Sequence, residues 1–277
     1  MLTCDWFLEG SHFLRDKHPA DAVGWKCLAR AISDIAAMGA VPRCFLLSMA
    51  LPAELTGKWF KEFLRGLKRA SSELRCDMAG GDTTRQEKVL INVTVVGEVR
   101  RGRALRRSGA RAGDLIFVSG RLGEADAGLQ ELKRKKGMAQ AANEFLRKHL
   151  YPEPRLALGE WLAESRLATA AMDLSDGLSS DLPRMCAASG MGARIDLDSL
   201  PAVAHPNRRR ALQLALDGGD DYELLFTVTK KNWKKIPRAY RGVALTKIGE
   251  ITREKRVDVV EHGVCRTLVA GGWDPFR

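Results

Sequence analysis

Apolar side chains recur at Trp25, Leu28, Ile32 and Ile35, three and four residues apart, which predicts an amphipathic helix over 21–39 with Gly39 as its stop. Before it, Thr3 to Phe7 reads as the end of a strand. After it, Cys44 to Ala50 reads as a strand, and 54–75 as a second amphipathic helix through Phe60, Phe63, Leu64, Leu67 and Leu74. Val89 to Gly97 is β-branched and reads as a strand with apolar residues on both faces. Beyond an arginine-rich stretch at 100–111, strands are predicted at 115–119, 168–172, 192–197, 222–228, 243–249, 256–261 and 264–269. Helices are predicted between them at 124–135, 139–149, 155–165, 178–188 and 206–216. Strands and helices mix without strict β-α-β order, so the expected class is α+β in two domains, 1–106 and 107–277.

Composition narrows the function classes. The 277 residues are 45% hydrophobic and 29% charged, as in soluble globular proteins. No apolar run approaches the ~20 residues of a membrane span. Asp5 and Glu9 stand where a signal peptide would be basic and then apolar, so the expectation is a cytoplasmic protein with no membrane partner. Cysteines 4, 27, 44, 76, 186 and 265 form no CxxC pair, which argues against zinc and against a disulfide framework. The net charge of +11 is concentrated at Arg100 to Arg111, Lys133 to Lys136 and Arg208 to Arg210. Aromatic residues are 6% and do not interleave with these runs, so no stacking platform for nucleic acid is visible, and attraction of small anions fits the charge.

Within this basic chain lie three glycine-flanked acidic turns: Gly80-Gly81-Asp82-Thr83, Asp173-Leu-Ser175-Asp176-Gly177 with Asp181 beyond, and Gly218-Gly219-Asp220-Asp221-Tyr222-Glu223. Close carboxylates repel unless a cation or a donor array lies between them, so these turns suggest oxygen ligands for Mg²⁺ and, through the metal, for phosphates. The paired glycines at 80–81 allow a tight turn ahead of the next strand and close approach to a ligand. Asp34 sits between apolar positions of the first helix, either at its solvent edge or as a buried ligand. His12, past the Gly10 turn, is either a contact to an anionic substrate or a capping histidine. Neither a P-loop nor a protein-kinase glycine loop is present.

In chain order, Asp5-x-x-x-Glu9-Gly10-x-His12-Phe13, Gly24-Trp-Lys26, Ser33-Asp34-Ile-Ala-Ala-Met-Gly39-Ala, Gly80-Gly-Asp82-Thr83-Thr, Arg107-Ser-Gly-Ala-x-x-Gly113-Asp114, Asp173-x-Ser175-Asp176-Gly177-Leu and Gly219-x-Asp221-Tyr222-Glu223-Leu resemble the thiamine-monophosphate kinases. That family lies in the superfamily that includes aminoimidazole-ribonucleotide synthase. The resemblance implies two α/β-sandwich-like domains with a ligand cleft between them. It implies transfer of the γ-phosphoryl group of ATP onto thiamine monophosphate, giving thiamine diphosphate.

By the same resemblance, several Mg²⁺ ions are expected at Asp5, Asp34, Asp82, Asp173 and Asp176, with Thr3 and Cys4 beside them. ATP is expected at Gly81, Asp82, Arg107 and Ser175, and the substrate at His12, Asp220 and Trp273. A homodimer sharing strands of the N-terminal halves is implied as well. The alternatives are another ATP-using enzyme of the superfamily, or a truncated, non-catalytic binder of nucleotide or thiamine phosphates. The chain departs from the family pattern at Cys4 (usually Thr), Asp220 (usually Glu) and Pro275 (usually His). It also starts at the strand that in relatives follows a Gly-Asp-Asp-Ala-Ala-Val-like turn, which leads to the expectation of a missing metal-ligand segment and slowed turnover.

Overall fold

The computed structural model describes residues 1–139 and 143–276. The first half runs β1 (Leu2–Leu8), α1 (Ala20–Ala37), β2 (Val41–Leu51), α2 (Lys58–Leu74), β3 (Asp77–Arg85) and β4 (Leu90–Glu98). Its four strands form one sheet in the order β1-β4-β2-β3. Alternation sends Phe7, Phe45, Leu47, Ile91, Val93 and Val95 to one face, where they are buried against α1 and α2. The two helices pack backbone to backbone. A Cβ on Gly24 would lie 2.1 Å from the Phe63 carbonyl oxygen, and one on Gly66 would lie 1.8 Å from that of Asp21. The opposite face of the sheet is open and displays Leu2, Trp6, Leu46 and Val96.

The second half continues with β5 (Leu115–Ser119), α3 (Glu124–Arg134), α4 (Glu144–Leu150), α5 (Leu156–Ser165), β6 (Ala168–Leu174), α6 (Leu178–Ser189), β7 (Gly192–Asp196), α7 (Arg208–Asp217) and β8 (Glu223–Val228). It ends with β9 (Ala239–Tyr240), β10 (Val243–Thr252), β11 (Val257–Glu261) and β12 (Val264–Thr267). The larger sheet has the order β12-β11-β7-β10-β5-β8-β6, with β9 beside β10; it is antiparallel except where β11 runs parallel to β7. Leu178, Leu182 and Met185 of α6 and Leu212 of α7 share one cluster with residues of this sheet, while Leu158 and Leu162 of α5 share another with Phe117 and Phe226. Asn143 and Asn207 cap α4 and α7 by accepting from the Leu146 and Arg210 amides.

α1 joins the halves. It packs on β1, β2 and β4, on α2, and also on α5 and β6 of the second half. Ala37 therefore shares a core cluster with Leu158, Leu162 and Phe226. A helix clasped on several sides is buried along nearly its whole length, more than an amphipathic stripe implies.

The predicted α+β class and nearly every element are observed. One correction matters for the site. Gly80 to Thr84, expected as a turn, lies inside β3 and pairs in parallel with β2 across the β2-α2-β3 crossover. The expected helix over 139–149 begins at Glu144, its earlier part falling partly outside the described residues.

Candidate active site

Beyond Asp21 in its first turn, four polar residues break the apolar surface of α1: Lys26, Arg30, Ser33 and Asp34. At about 100° per residue they fall on one side of the helix, forming a polar stripe along the seam between the halves. Two cavities open on that stripe.

The first, of about 410 Å³, is lined by Thr3, Asp34, Met38, Arg107 and Asp173 among others. Thr3 and Asp5 reach α1 because they alternate with Leu2, Cys4 and Trp6 along β1. Thr3 Oγ1 donates to Asp34 Oδ2. Ser33 Oγ donates to Asp173 Oδ2 at 2.6 Å, tying α1 to the end of β6. Burial, with the Asp34 carboxylate next, pushes the Asp173 carboxyl well above its ordinary range. Asp5 is also raised, by burial first, with Arg30 opposing and Asp34 and Asp176 adding repulsion. Carboxylates this close favour a cation among them.

The second cavity, of about 580 Å³, is lined by His12, Arg30, Ser175, Asp176, Asp220 and Trp273 among others. The turn that leaves β6 divides the two, with Asp173 on one side and Ser175 and Asp176 on the other. Gly177 makes this turn possible at φ 100°, a conformation that costs little only for glycine. Asp181 locks it from inside: its Oδ2 accepts the Ser175 and Asp176 amides, both at 3.0 Å. Arg184 pairs with Asp176 and Asp181.

Across the cavity, Asp220 and Tyr222 sit in the left-handed region at φ 66° and 51°, a strained arrangement for a tyrosine. What over-determines it is a buried chain of polar contacts. Asp220 accepts Lys26 Nζ at 2.8 Å and the Tyr222 hydroxyl at 2.7 Å. Lys26 Nζ also faces His149 Nδ1 at 3.3 Å, and His149 Nε2 faces His18 Nε2 at 3.1 Å. The ammonium can only donate, so His149 Nδ1 accepts and its Nε2–H donates onward to His18. Burial alone would raise the Asp220 carboxyl, but Lys26, His149 and Arg30 hold it well below the usual range. His12 is lowered to about 4 by burial and then by Arg30, so it is neutral at pH 7. Its Nδ1 accepts the Leu8 amide at 3.0 Å, which leaves Nε2 as the donor. The C-terminal tail closes the rim: Trp273 N donates to the Asp176 carbonyl at 2.9 Å, and its ring lies 6.5 Å from that of His12.

The structure brings together Thr3, Asp5, Asp34, Arg107, His12, Asp173, Ser175, Asp176, Asp220 and Trp273 around these cavities. It does not bring Cys4, Gly81 or Asp82. Cys4 lies on the other face of β1, where its Sγ meets Asn92 and Thr94. Asp82 pairs with Ser48 on the open face of the sheet and is exposed, as is Gly81 on the same edge strand. Strand alternation excludes the Cys4 and Asp82 side chains from the Asp5 side within one chain. By sequence alone Arg30, His18 and His149 have no expected site role, and Lys26 enters only as part of the Gly24-Trp-Lys26 piece. The α1 stripe was legible as charges at 26, 30 and 34 on one side of an apolar helix. No sequence pattern placed the two histidines beside it.

Among the described residues no three His, Cys, Asp or Glu side chains converge as a ready-made metal cage. That is compatible with Mg²⁺, which keeps waters and takes one or two carboxylates together with substrate phosphates. The hard oxygens of Asp5, Asp34, Asp173 and Asp176, crowded and partly desolvated, fit such an ion. A further cavity of about 530 Å³, near Arg43, Arg100 and Glu160, holds none of the candidate residues.

Residues 1–99 match the family described as AIR synthase related protein, N-terminal domain, and residues 111–262 the corresponding C-terminal domain. The thiamine-monophosphate kinase of Salmonella typhimurium is 38% identical over 284 residues, covering 99% of this chain and 86% of that protein. The crystal structure of thiamine-monophosphate kinase from Stenotrophomonas maltophilia superposes with a TM-score of 0.86 at 37% identity, over 94% of this chain and 84% of that one. A structure described as AaThiL complexed with AMPPCP and TMP superposes with a TM-score of 0.85 at 34% identity, over 99% of this chain and 86% of that one. The matches span most of these relatives' length, and the expectation of a truncated, non-catalytic form gains no support from them.

Proposed function

Because the chain belongs to the AIR synthase related family, and within it to the thiamine-monophosphate kinases, we propose that it transfers the γ-phosphoryl group of ATP to the phosphate of thiamine monophosphate. The observation that carries this reading is the pair of cavities meeting at the Asp173–Asp176 turn. One cavity takes the nucleotide beside Thr3, Asp34 and Arg107. The other takes the acceptor beside His12, Asp220 and Trp273.

The acceptor is a phosphate monoester with a second pKa near 6, so at neutral pH it is already a nucleophile and needs no general base. The barrier lies in bringing two polyanions together. Bound Mg²⁺, held by Asp5, Asp34, Asp173 and Asp176, would supply the positive charge that lets them approach. The residues do the positioning. Ser33 and Thr3 orient Asp173 and Asp34, Asp181 and Arg184 fix the turn carrying Asp176, and Lys26 fixes Asp220. Neutral His12 offers Nε2–H without adding charge.

The same reading includes a homodimer. The open face of the four-stranded sheet carries Leu2 at 69%, Trp6 at 56% and Leu46 at 43% exposure, an apolar surface suited to a second copy. Asp82 would then lie in the interface. No described helix is long and apolar enough to cross a membrane.

The test is direct. The purified protein with ATP, Mg²⁺ and thiamine monophosphate should yield thiamine diphosphate by mass spectrometry, and chelation of the metal should stop it. Absence of product under these conditions sinks the proposal. Light scattering at micromolar concentration should give twice the 30.6 kDa chain mass; a monomer would sink the dimer.

A further inference from the structure

We propose that Arg30 is the anchor for the phosphate of the acceptor, its guanidinium donating to that group's oxygens in the larger cavity. The inference rests on the kinase reading, and its starting point is a donor without a partner. Arg30 Nε is buried and makes no hydrogen bond. Leaving a buried donor without a partner carries a desolvation penalty, so its presence requires an explanation.

The closest carboxylate, Asp5 Oδ1, is 3.8 Å from Nη2, an ion pair without hydrogen-bond geometry. The guanidinium carbon lies 5.5 Å from the centroid of the Phe7 ring, so an aromatic face braces the group without consuming its N–H bonds. The side chain is 15% exposed, and Arg30 lines the cavity together with His12, Ser175 and Asp220.

Two other cations of this region are engaged. Lys26 donates to Asp220 and is 1% exposed, and Arg184 is paired with Asp176 and Asp181. Lys133 sits exposed at the rim. The wall is otherwise acidic, with Asp126, Asp176, Asp217 and Asp220. A dianionic monoester entering it needs a fixed cation on the deep side. Among the described residues lining the cavity, only Arg30 offers planar, unspent donors there, and a guanidinium matches phosphate oxygens two at a time. Asp5 then positions the guanidinium loosely enough to let it turn to the ligand. Arg30 thereby selects a phosphorylated acceptor over the free alcohol.

The test compares wild type, Arg30→Met and Arg30→Lys by isothermal titration with thiamine monophosphate and with unphosphorylated thiamine, both with Mg²⁺ and a non-hydrolysable ATP analogue. Arg30→Met should weaken thiamine monophosphate about 10- to 100-fold, the range of a charged hydrogen bond, with Arg30→Lys intermediate. Thiamine and the ATP analogue should each stay within about 2-fold, as expected of a contact made to the phosphate alone. Equal losses for thiamine and its monophosphate, or no loss for either, would overturn the assignment. Should Arg30→Met not fold, Arg30→Lys carries the same comparison. Inorganic phosphate is a probe independent of the kinase reading: wild type should bind it and Arg30→Met at least about 10-fold less well, and equal binding overturns the proposal. Absence of thiamine diphosphate from wild type would defeat the kinase reading without touching that comparison.

Discussion

Asp220→Asn removes one charge from the contact between the halves and tests how the buried polar chain is held. The pair is unequal: the Lys26 side chain is 1% exposed, that of Asp220 29%, facing the cavity. At 2.8 Å the gross attraction is about 6 kcal/mol for an effective dielectric of 20, and desolvation of the ammonium offsets most of it. Burial accordingly pulls the Lys26 ammonium below its ordinary pKa, with Asp220 opposing. Losing the carboxylate strands the buried partner, which should cost about 3 kcal/mol, the lower end for a broken buried pair. For a chain of this size that is roughly 6–12 °C in Tm. Lys26→Met should cost less, about 1–2 kcal/mol, because Asp220 can take water from the cavity and keeps the Tyr222 hydroxyl. The double variant leaves no stranded charge and should be more stable than Asp220→Asn alone by about 2 kcal/mol. The pH dependence has a definite sign. Asp220 is depressed in the folded state, so its contribution is present above its unfolded pKa of ~3.9 and disappears as pH falls through the lower folded value. Urea denaturation of the four proteins from pH 7 down to pH 2 measures this, with the Asp220-dependent loss expected only below about pH 4. An Asp220→Asn protein as stable as wild type, or a double variant equal to the sum of the singles, would refute the reasoning.

His18 is lowered to about 4 and His149 well below its ordinary value, burial first and Lys26 next in both, so the unfolded chain takes up more protons than the folded one. Through their titration, stability should fall as pH drops from ~6.5 towards 4, on the order of 1 kcal/mol per pH unit for each, and ring NMR shifts should still show both neutral at pH 5.5; a midpoint near 6.5 for either contradicts this. Gly66→Ala would push a methyl into the Asp21 carbonyl at the crossing of α1 and α2, and should cost at least about 2 kcal/mol in denaturant, where an unchanged midpoint counts against the packing argument. Trp273 is 46% exposed, so Trp273→Ala should leave Tm within about 2 °C while raising KM for thiamine monophosphate about 10-fold, as expected of an aromatic contact at the rim. A KM unchanged by that substitution removes Trp273 from the site.

Hydrophobic spacing determined most of the elements. The strand expected at 115–119 is β5 with the same ends, and the helices at 155–165 and 178–188 are α5 and α6 within a residue or two. Periodicity is a local property, set by which face of a strand or helix must be apolar, so one sequence carries it. The acidic residues of the β6–α6 turn were visible for the same reason, since turn and charge lie in one short segment. Glycine pairs were less decisive: Gly80-Gly81 is compatible with a turn and with an edge strand, and pairing with β2 chose the strand. That choice, with the alternation of β1, put Asp82 and Cys4 on the open face, away from Asp5. Tertiary structure alone decided the buried chain from Asp220 through Lys26 and His149 to His18, whose members come from distant segments. It likewise decided the isolation of Arg30. A guanidinium's partners depend on what the fold brings within about 3 Å of it, a property of the packed chain that no local pattern encodes.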